Sequence, residues 1–396
     1  MSLRKLLVDV HTHVYLPRYA SVLRSRSNAP RILTRYTPSG QSEDRLLILD
    51  DEPSGGRPVG AQYWDRDEKL KFMDRHGIDI SFVSSANPWL DFLPFSEAQT
   101  LARELNADLE SYCATGPSVV SDANFKRLYG FGLLPLVPGA PAESLPAAVS
   151  QLANEHPHIR GVIIGTRGAG LGLDDPALEP LWASLAETGL VVFLHPHYGV
   201  GAQAWGTREN GHVLPLALGF PFETTTAITR LILAGVLDRH PDLRILLAHS
   251  GGALPQLSSR LASCIDHDPV LLGRLAHDAR WYLGRLWFDA VAYGAAELDF
   301  VSEAVGRANR YARGGGKERK EGSSRMLFGT DHPFFPPLGE TEKWRSVVEN
   351  LEAIEGVERW SEEEKAGVRG GNALRLFGLL GTTKMTTGTG GEGSKQ

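Results

Sequence analysis

The sequence is nearly free of cysteine, with only Cys113 and Cys264 in 396 residues. Two cysteines cannot build a disulfide framework, so a small secreted scaffold is excluded, and both are expected as small buried side chains in a reducing compartment. Long apolar runs are missing too: none approaches the ~18 residues that would mark a membrane-crossing helix. Positive charge is not in excess. The net charge is -6, without the basic face that nucleic-acid binders carry. The chain reaches Asp9 within a few residues of its start, a spacing that predicts no signal or transit peptide. No internal repeat stands out. Together these absences predict a cytoplasmic protein with neither nucleic acid nor membrane as partner. What is present, 42% hydrophobic and 22% charged residues, is the composition of a soluble globular protein.

Apolar runs and amphipathic stretches alternate through most of the chain. Strands are predicted to begin at Leu6, Ile80, Leu128, Ile159, Val191, Ile245, Leu286 and Met326, with helices between them, for example Phe95 to Ala114 and Glu223 to Leu237. About eight βα units predict one α/β domain over residues 1–380, a distorted (β/α)8 barrel. The segment 14–63 has little periodicity, leaves the end of the first strand, and is expected to cap the barrel mouth. The stretch 307–325, with Gly314-Gly315-Gly316 beside Lys317, Arg319 and Lys320, reads as a flexible insertion at the opposite face. The glycine- and threonine-rich tail 381–396 is expected to be disordered. Helix Glu223 to Leu237 is more apolar (Ile228, Leu231, Ile232, Leu233, Val236) than one barrel face requires, so a homodimer is expected.

The chemistry collects where the strands end. His11 and His13 sit at i and i+2 of one strand and so project to the same face. Val191 to Leu194 ends in His195, Ile245 to Ala248 in His249, and Met326 to Thr330 in Asp331. Each histidine alone is more often a structural residue; four metal-capable groups on one rim are a site. Three imidazoles and one carboxylate (His11, His13, His195, Asp331) suit one Zn²⁺ per subunit with an open position, Mn²⁺ being the alternative. His249 is expected to act as a general acid/base beside them. Arg57, in the cap segment, could clamp a substrate carboxylate through paired hydrogen bonds, against the bland reading of a solvated surface charge. Asn87 stands at the end of the strand from Ile80. The loop Gly168-Ala169-Gly170-Leu171-Gly172 mimics a dinucleotide fingerprint, but Asp174-Asp175-Pro176 intervenes before the next helix, so it reads as a barrel loop.

Asp9-x-His11-x-His13, His195-Pro196-His197, His249-Ser250-Gly251-Gly252 and Phe328-Gly329-Thr330-Asp331-His332-Pro333 resemble the amidohydrolase superfamily, in its aminocarboxymuconate-semialdehyde decarboxylase-like branch. Ala86-Asn87-Pro88-Trp89, the run His212 to Glu223 and Phe334-Phe335-Pro336-Pro337 are most similar to the isoorotate (5-carboxyuracil) decarboxylase family. The resemblance spans nearly the whole chain. It implies a zinc held by His11, His13, His195 and Asp331, and a pocket lined by Arg57, Asn87, His249 and Phe334. The implied reaction is non-oxidative decarboxylation of a planar ring carboxylate by protonation of the carboxylated carbon. Asp331 and His249 would carry the proton, Arg57 the carboxylate, Asn87 the ring amide, and Phe334 would wall the ring. Rival substrates are aminocarboxymuconate semialdehyde and dihydroxybenzoates. A mononuclear hydrolase or lactonase is the rival enzyme, and a silent barrel serving as a binding scaffold is the non-enzyme rival. The strand Ile159 to Thr166 has no lysine to carry a second metal, which argues against a binuclear hydrolase.

Overall fold

The computed structural model describes residues 6–380, apart from 37–39, 51, 53–54, 121, 200–204, 209, 315–320, 338 and 340–341. The basic cluster at Lys317, Arg319 and Lys320 and the tail 381–396 lie outside the described residues.

Strands are numbered in chain order. β1 (Val8–Val14) opens the barrel, and β2 (Arg31–Tyr36), β3 (Ser42–Leu47) and β4 (Arg57–Val59) form a separate antiparallel sheet. β5 (Ile80–Ser85) returns to the barrel, β6 (Ser118–Val119) and β7 (Asp122–Lys126) pair as a ribbon, and β8 (Leu128–Gly132) continues the barrel. β9 (Ile159–Gly165), β10 (Val191–His195), β11 (Ile245–Leu247), β12 (Trp287–Asp289) and β13 (Met326–Leu327) follow. The barrel sheet is parallel in the order β1-β5-β8-β9-β10-β11-β12-β13. Strands β10 and β11 are near-continuous Val, Ile, Leu and Phe runs because both faces are covered, one by the barrel interior and the other by helices. All of Val191–His195, for instance, is buried. The helix Phe95–Ala114 turns Leu101, Leu105, Leu109 and Cys113 inward. Arg66–His76 is bounded by the Asp65 side chain, which accepts from the Asp67 N–H, and by Gly77 at φ 70°.

The barrel closes where β1 meets the chain leaving β13. The Val10 N–H donates to the Phe328 carbonyl at 3.0 Å and the His13 N–H to that of His332 at 2.7 Å. Gly329 permits this approach, since a Cβ there would strike the Cβ of His11. A buried polar seam reinforces the join. Asp9 accepts from the Thr330 N–H at 3.1 Å and its hydroxyl at 2.8 Å. From the helix outside, the Lys69 ammonium reaches Thr12 Oγ1 and, at 3.3 Å, His332 Nδ1. Burial pushes Asp9 up to about 6, an effect that the Lys69 charge opposes. Burial likewise pushes Lys69 down to about 8, opposed by Asp9.

Several expectations need correction. The cap is not an irregular loop: it holds the helix Pro17–Arg24 and the sheet β2-β3-β4. The ends of β2 and β3 around 34–36 and 42 are exposed, and Thr34, Arg35, Glu43 and Asp44 interrupt any run of apolar residues. Cys113 is buried as expected, but Cys264 is exposed, on a helix (Leu254–Asp266) not anticipated from its pattern. Ile228, Leu231, Ile232 and Val236 are buried in the chain's own core, so they offer no face to a second subunit. Among the described residues no helix is long and apolar enough to cross a membrane.

Replacing Lys69 with Met should remove the buried donor to Thr12 and His332 together with the charge that opposes the burial of Asp9, at a cost of ~1–3 kcal/mol. Equilibrium urea unfolding of Lys69→Met should show a correspondingly lower midpoint with an unchanged slope.

Candidate metal centre

Four strand ends bring the predicted residues to one point. His11 and His13, on β1, project inward together, and their Nε2 atoms lie 3.1 Å apart. His195 ends β10 with its ring 4.9 Å from that of His13, centroid to centroid. Asp331 follows β13; its Oδ1 is 3.3 Å from His11 Nε2 and 3.4 Å from His13 Nε2. His249, just past β11, places Nε2 3.8 Å from Asp331 Oδ2. His11, His195, His249 and Asp331 each offer a donor atom within 4.8 Å of the others, so a metal-binding centre stands at the barrel mouth. Asp331 (φ 55°) and His249 (φ 53°) both hold the left-handed backbone region, strain of order 1–3 kcal/mol each that turns their side chains back over the mouth.

The imidazoles are aimed by what holds their other nitrogen. His11 Nδ1 meets Asp289 Oδ2 at 2.6 Å, His13 Nδ1 meets Ser84 Oγ at 2.9 Å, and His195 Nδ1 meets the Pro196 carbonyl at 2.9 Å. Each ring therefore turns Nε2 to the centre. His195 Nε2 is buried with no hydrogen-bond partner, an orphan that a cation would satisfy. His249 Nδ1 is likewise buried and unpartnered.

Electrostatics agree with a cation at this point. Burial lowers His13 to about 4 and drives His195 well below the usual imidazole range, so both are neutral donors. Burial opposes the charged form of His11 as well, but the Asp331 and Asp289 carboxylates override it and raise its pKa to about 10. A proton there balances the carboxylates, and a divalent cation would displace it. Burial also works against the Asp331 carboxylate, yet His11, His13 and His249 hold it well below the ordinary range.

A cavity of about 330 Å³ opens beside the centre, lined by Glu52, Arg57, Asn87, Tyr198 and Phe220 among others. Arg57 is not a solvated surface charge. Its side chain is 14% exposed, its Nε lies 3.4 Å from Glu52, and its guanidinium stacks 4.9 Å above the Phe334 ring. Phe334 in turn packs edge-on against His13, with centroids 5.4 Å apart. The Asn87 amide donates to the His197 carbonyl, while its backbone carbonyl accepts from the Tyr15 hydroxyl at 2.5 Å. Asp289, Ser84 and Lys69 support the centre without having been singled out beforehand. Asp289 at least showed a signal, as an acid at a predicted strand end; Ser84 and Lys69 showed none.

Comparison with known proteins agrees with this geometry. The amidohydrolase family model matches residues 8–309. The 2-amino-3-carboxymuconate-6-semialdehyde decarboxylase of Dictyostelium discoideum is 28% identical over 95% of this chain and 92% of its own. A gamma-resorcylate decarboxylase of Rhizobium sp. is 31% identical, covering 86% of this chain and 98% of its own. The crystal structure of Metarhizium anisopliae IDCase in apo form superposes with a TM-score of 0.82 at 41% identity, over 94% of this chain and 97% of that one.

Removing the Ser84 hydroxyl should free the His13 ring to rotate. Loss of such an orienting partner typically weakens metal binding ~10- to 100-fold, so Ser84→Ala should show that loss in a chelator competition titration.

Proposed function

The chain belongs to the amidohydrolase family and is a decarboxylase acting on a ring carboxylate; we propose that its substrate is 5-carboxyuracil (isoorotate), released as uracil and CO2. The observation that carries this reading is the placement of Arg57. Its guanidinium lines the cavity and rests on Phe334, whose ring packs against His13 of the metal centre, so a positive charge stands between the cavity and the metal, where an anionic ring substituent would bind. The IDCase likeness supports the pyrimidine in particular.

We assign His11, His13, His195 and Asp331 as ligands and leave His249 outside the set. The first three rings are each oriented by a bond at Nδ1, whereas His249 has no such anchor and keeps freedom to exchange a proton. The donor set of three imidazoles and one carboxylate favours Zn²⁺, one per subunit, over Mn²⁺. Once bound, the metal supplies a Lewis acid for the substrate's carboxylate and neighbouring carbonyl oxygens.

The protein's own groups then account for the chemistry. Arg57 pairs with the carboxylate, Phe334 walls the ring, and Asn87, its side chain anchored through His197, meets the ring amide. The ring nitrogen N1 feeds electron density through C6 to C5, so C5 accepts a proton. Asp331 delivers that proton, and His249, 3.8 Å from its outer oxygen, is the source that replenishes it. Protonated C5 is tetrahedral, and its bond to the carboxylate breaks. The electron pair re-forms the C5–C6 double bond, CO2 departs, and the added proton stays on C5.

A homodimer remains part of this reading, on different residues from those first considered. Leu218 and Phe222 are each 42% exposed and Val213 is 65% exposed, around the start of the helix Phe220–Leu233. Light scattering of the purified protein should give twice the 43.2 kDa chain mass.

Incubation with 5-carboxyuracil should release CO2 and uracil with the ring intact, faster than with gamma-resorcylate or aminocarboxymuconate semialdehyde; faster turnover of either of those would reassign the substrate. Asp331→Asn should abolish turnover, through loss of both a ligand and the proton carrier. Arg57→Ala should lower kcat/KM by roughly 10- to 150-fold, the worth of a charge-assisted pair at ~1.5–3 kcal/mol. Lysine should restore only part. Uracil lacks the carboxylate, so its affinity should be nearly unaffected. Equal weakening of both ligands would show that Arg57 orders the cap without clamping the carboxylate.

A further inference from the structure

We propose that Glu223 is a positioning residue for the substrate, its carboxylate holding the loop after β10 in the shape that presents Asn87 and Tyr198 to the cavity. Only the activity readout rests on the decarboxylase reading above.

Glu223 stands in the first turn of the helix Phe220–Leu233. Its Oε1 accepts the His197 N–H at 3.0 Å and the Thr166 hydroxyl. Its Oε2 accepts the Tyr198 N–H at 3.1 Å and the Gly199 N–H at 2.5 Å. Three consecutive backbone donors and a hydroxyl thus converge on one side chain, which must offer two acceptor oxygens and no hydrogen. The two oxygens of a glutamate side chain meet that requirement and a glutamine amide does not. Thr166 directly follows β9, so this one group ties together β9, the loop beyond β10 and the helix that brings Phe220 to the cavity.

The loop so held bears on substrate contacts. The His197 carbonyl anchors the Asn87 amide, and Tyr198 lines the cavity beside Asn87 and Arg57. The His197 ring occupies the space over Gly165, where any Cβ would collide with it. The metal ligand is fixed independently. His195 pairs with Gly165 in the β9–β10 ladder, and its Nδ1 is held by its own neighbour's carbonyl. Loss of the carboxylate should therefore loosen substrate contacts and leave the metal in place.

Glutamine keeps the length of the side chain but replaces one acceptor oxygen with an NH₂ that faces backbone donors. In the metal-loaded Glu223→Gln protein, KM for 5-carboxyuracil should rise about 10-fold, which is ~1.4 kcal/mol of lost binding. The kcat value and metal content should stay close to those of the parent protein. Amide hydrogen exchange at 197–199 should accelerate. Thr166→Val, which removes one of the four contacts, should move KM and exchange the same way but less. In an Asn87→Ala background, Glu223→Gln should raise KM by less than it does alone, the remainder coming through Tyr198. Unchanged KM and exchange in Glu223→Gln would overturn the proposal, and so would loss of metal in step with activity, which would mark a merely structural role. Should Glu223→Gln fail to fold, Thr166→Val decides: raised KM with metal retained supports the proposal and an unchanged KM overturns it. If the parent protein does not turn over 5-carboxyuracil, the substrate reading fails by itself, while exchange at 197–199 still decides the role of Glu223.

Discussion

The His13 N–H reaches the His332 carbonyl at 2.7 Å, and through that bond and its neighbours the first barrel strand meets the segment after the last. The groups that the two ends of the chain bring to the centre depend on this closure. His11 and His13 come from β1 and Asp331 from beyond β13, so their 3.3–3.4 Å separations are set by how the seam closes. The seam is closed by few backbone bonds, because β13 is only Met326–Leu327. Asp9, Thr12, Thr330, His332 and Lys69 supply the rest as a buried polar network. Burying an ammonium and a carboxylate is costly in itself, and apolar packing in their place would often be as stable. What the polar network adds is register: each partner accepts only one alignment of β1 against the Thr330 segment.

The same economy recurs one layer further in. Asp289 is buried, and burial disfavours its charge, yet His11 holds its pKa below the ordinary value. Its Oδ2 meets His11 and accepts the His249 N–H at 2.9 Å, while Oδ1 accepts the Ser250 N–H at 2.8 Å. One carboxylate thus orients a ligand ring and shapes the turn that carries the proposed proton source. Glu223 does comparable work across the barrel mouth, on the turn after His195. The barrel positions the strand ends, and acids buried between them set the turns that follow.

The cap divides the labour differently. Its sheet delivers Arg57 from β4, and Tyr15 and Tyr19 pin the loop after β5 by donating to the carbonyls of Asn87 and Trp89 at 2.5 Å each. The metal centre therefore belongs to the barrel, and the lining of the adjoining cavity belongs to barrel and cap together.

How much of this was legible in the sequence depends on the range of the interaction. The i, i+2 spacing of His11 and His13 fixes a common face for any strand, and an apolar run ending in His195, His249 or Asp331 places a polar group at a strand terminus, so the barrel and the groups gathered at its mouth could be read locally. The cap sheet could not, because its strands are half exposed and mix charges with apolar residues. Nor could the partners that aim the rings. Asp289 lies 278 residues from His11 and Ser84 lies 71 from His13, and a hydrogen bond across that distance leaves no periodicity to detect. Arg57 shows the boundary most clearly. Its composition and loop setting allowed either a surface charge or a clamp, and only packing on Phe334 beside Glu52 decided that it is withdrawn from solvent. The sequence by itself determined which groups reach the mouth of the barrel, since strand geometry is local. The tertiary structure decided which way they point, since orientation is set by contacts between segments far apart in the chain.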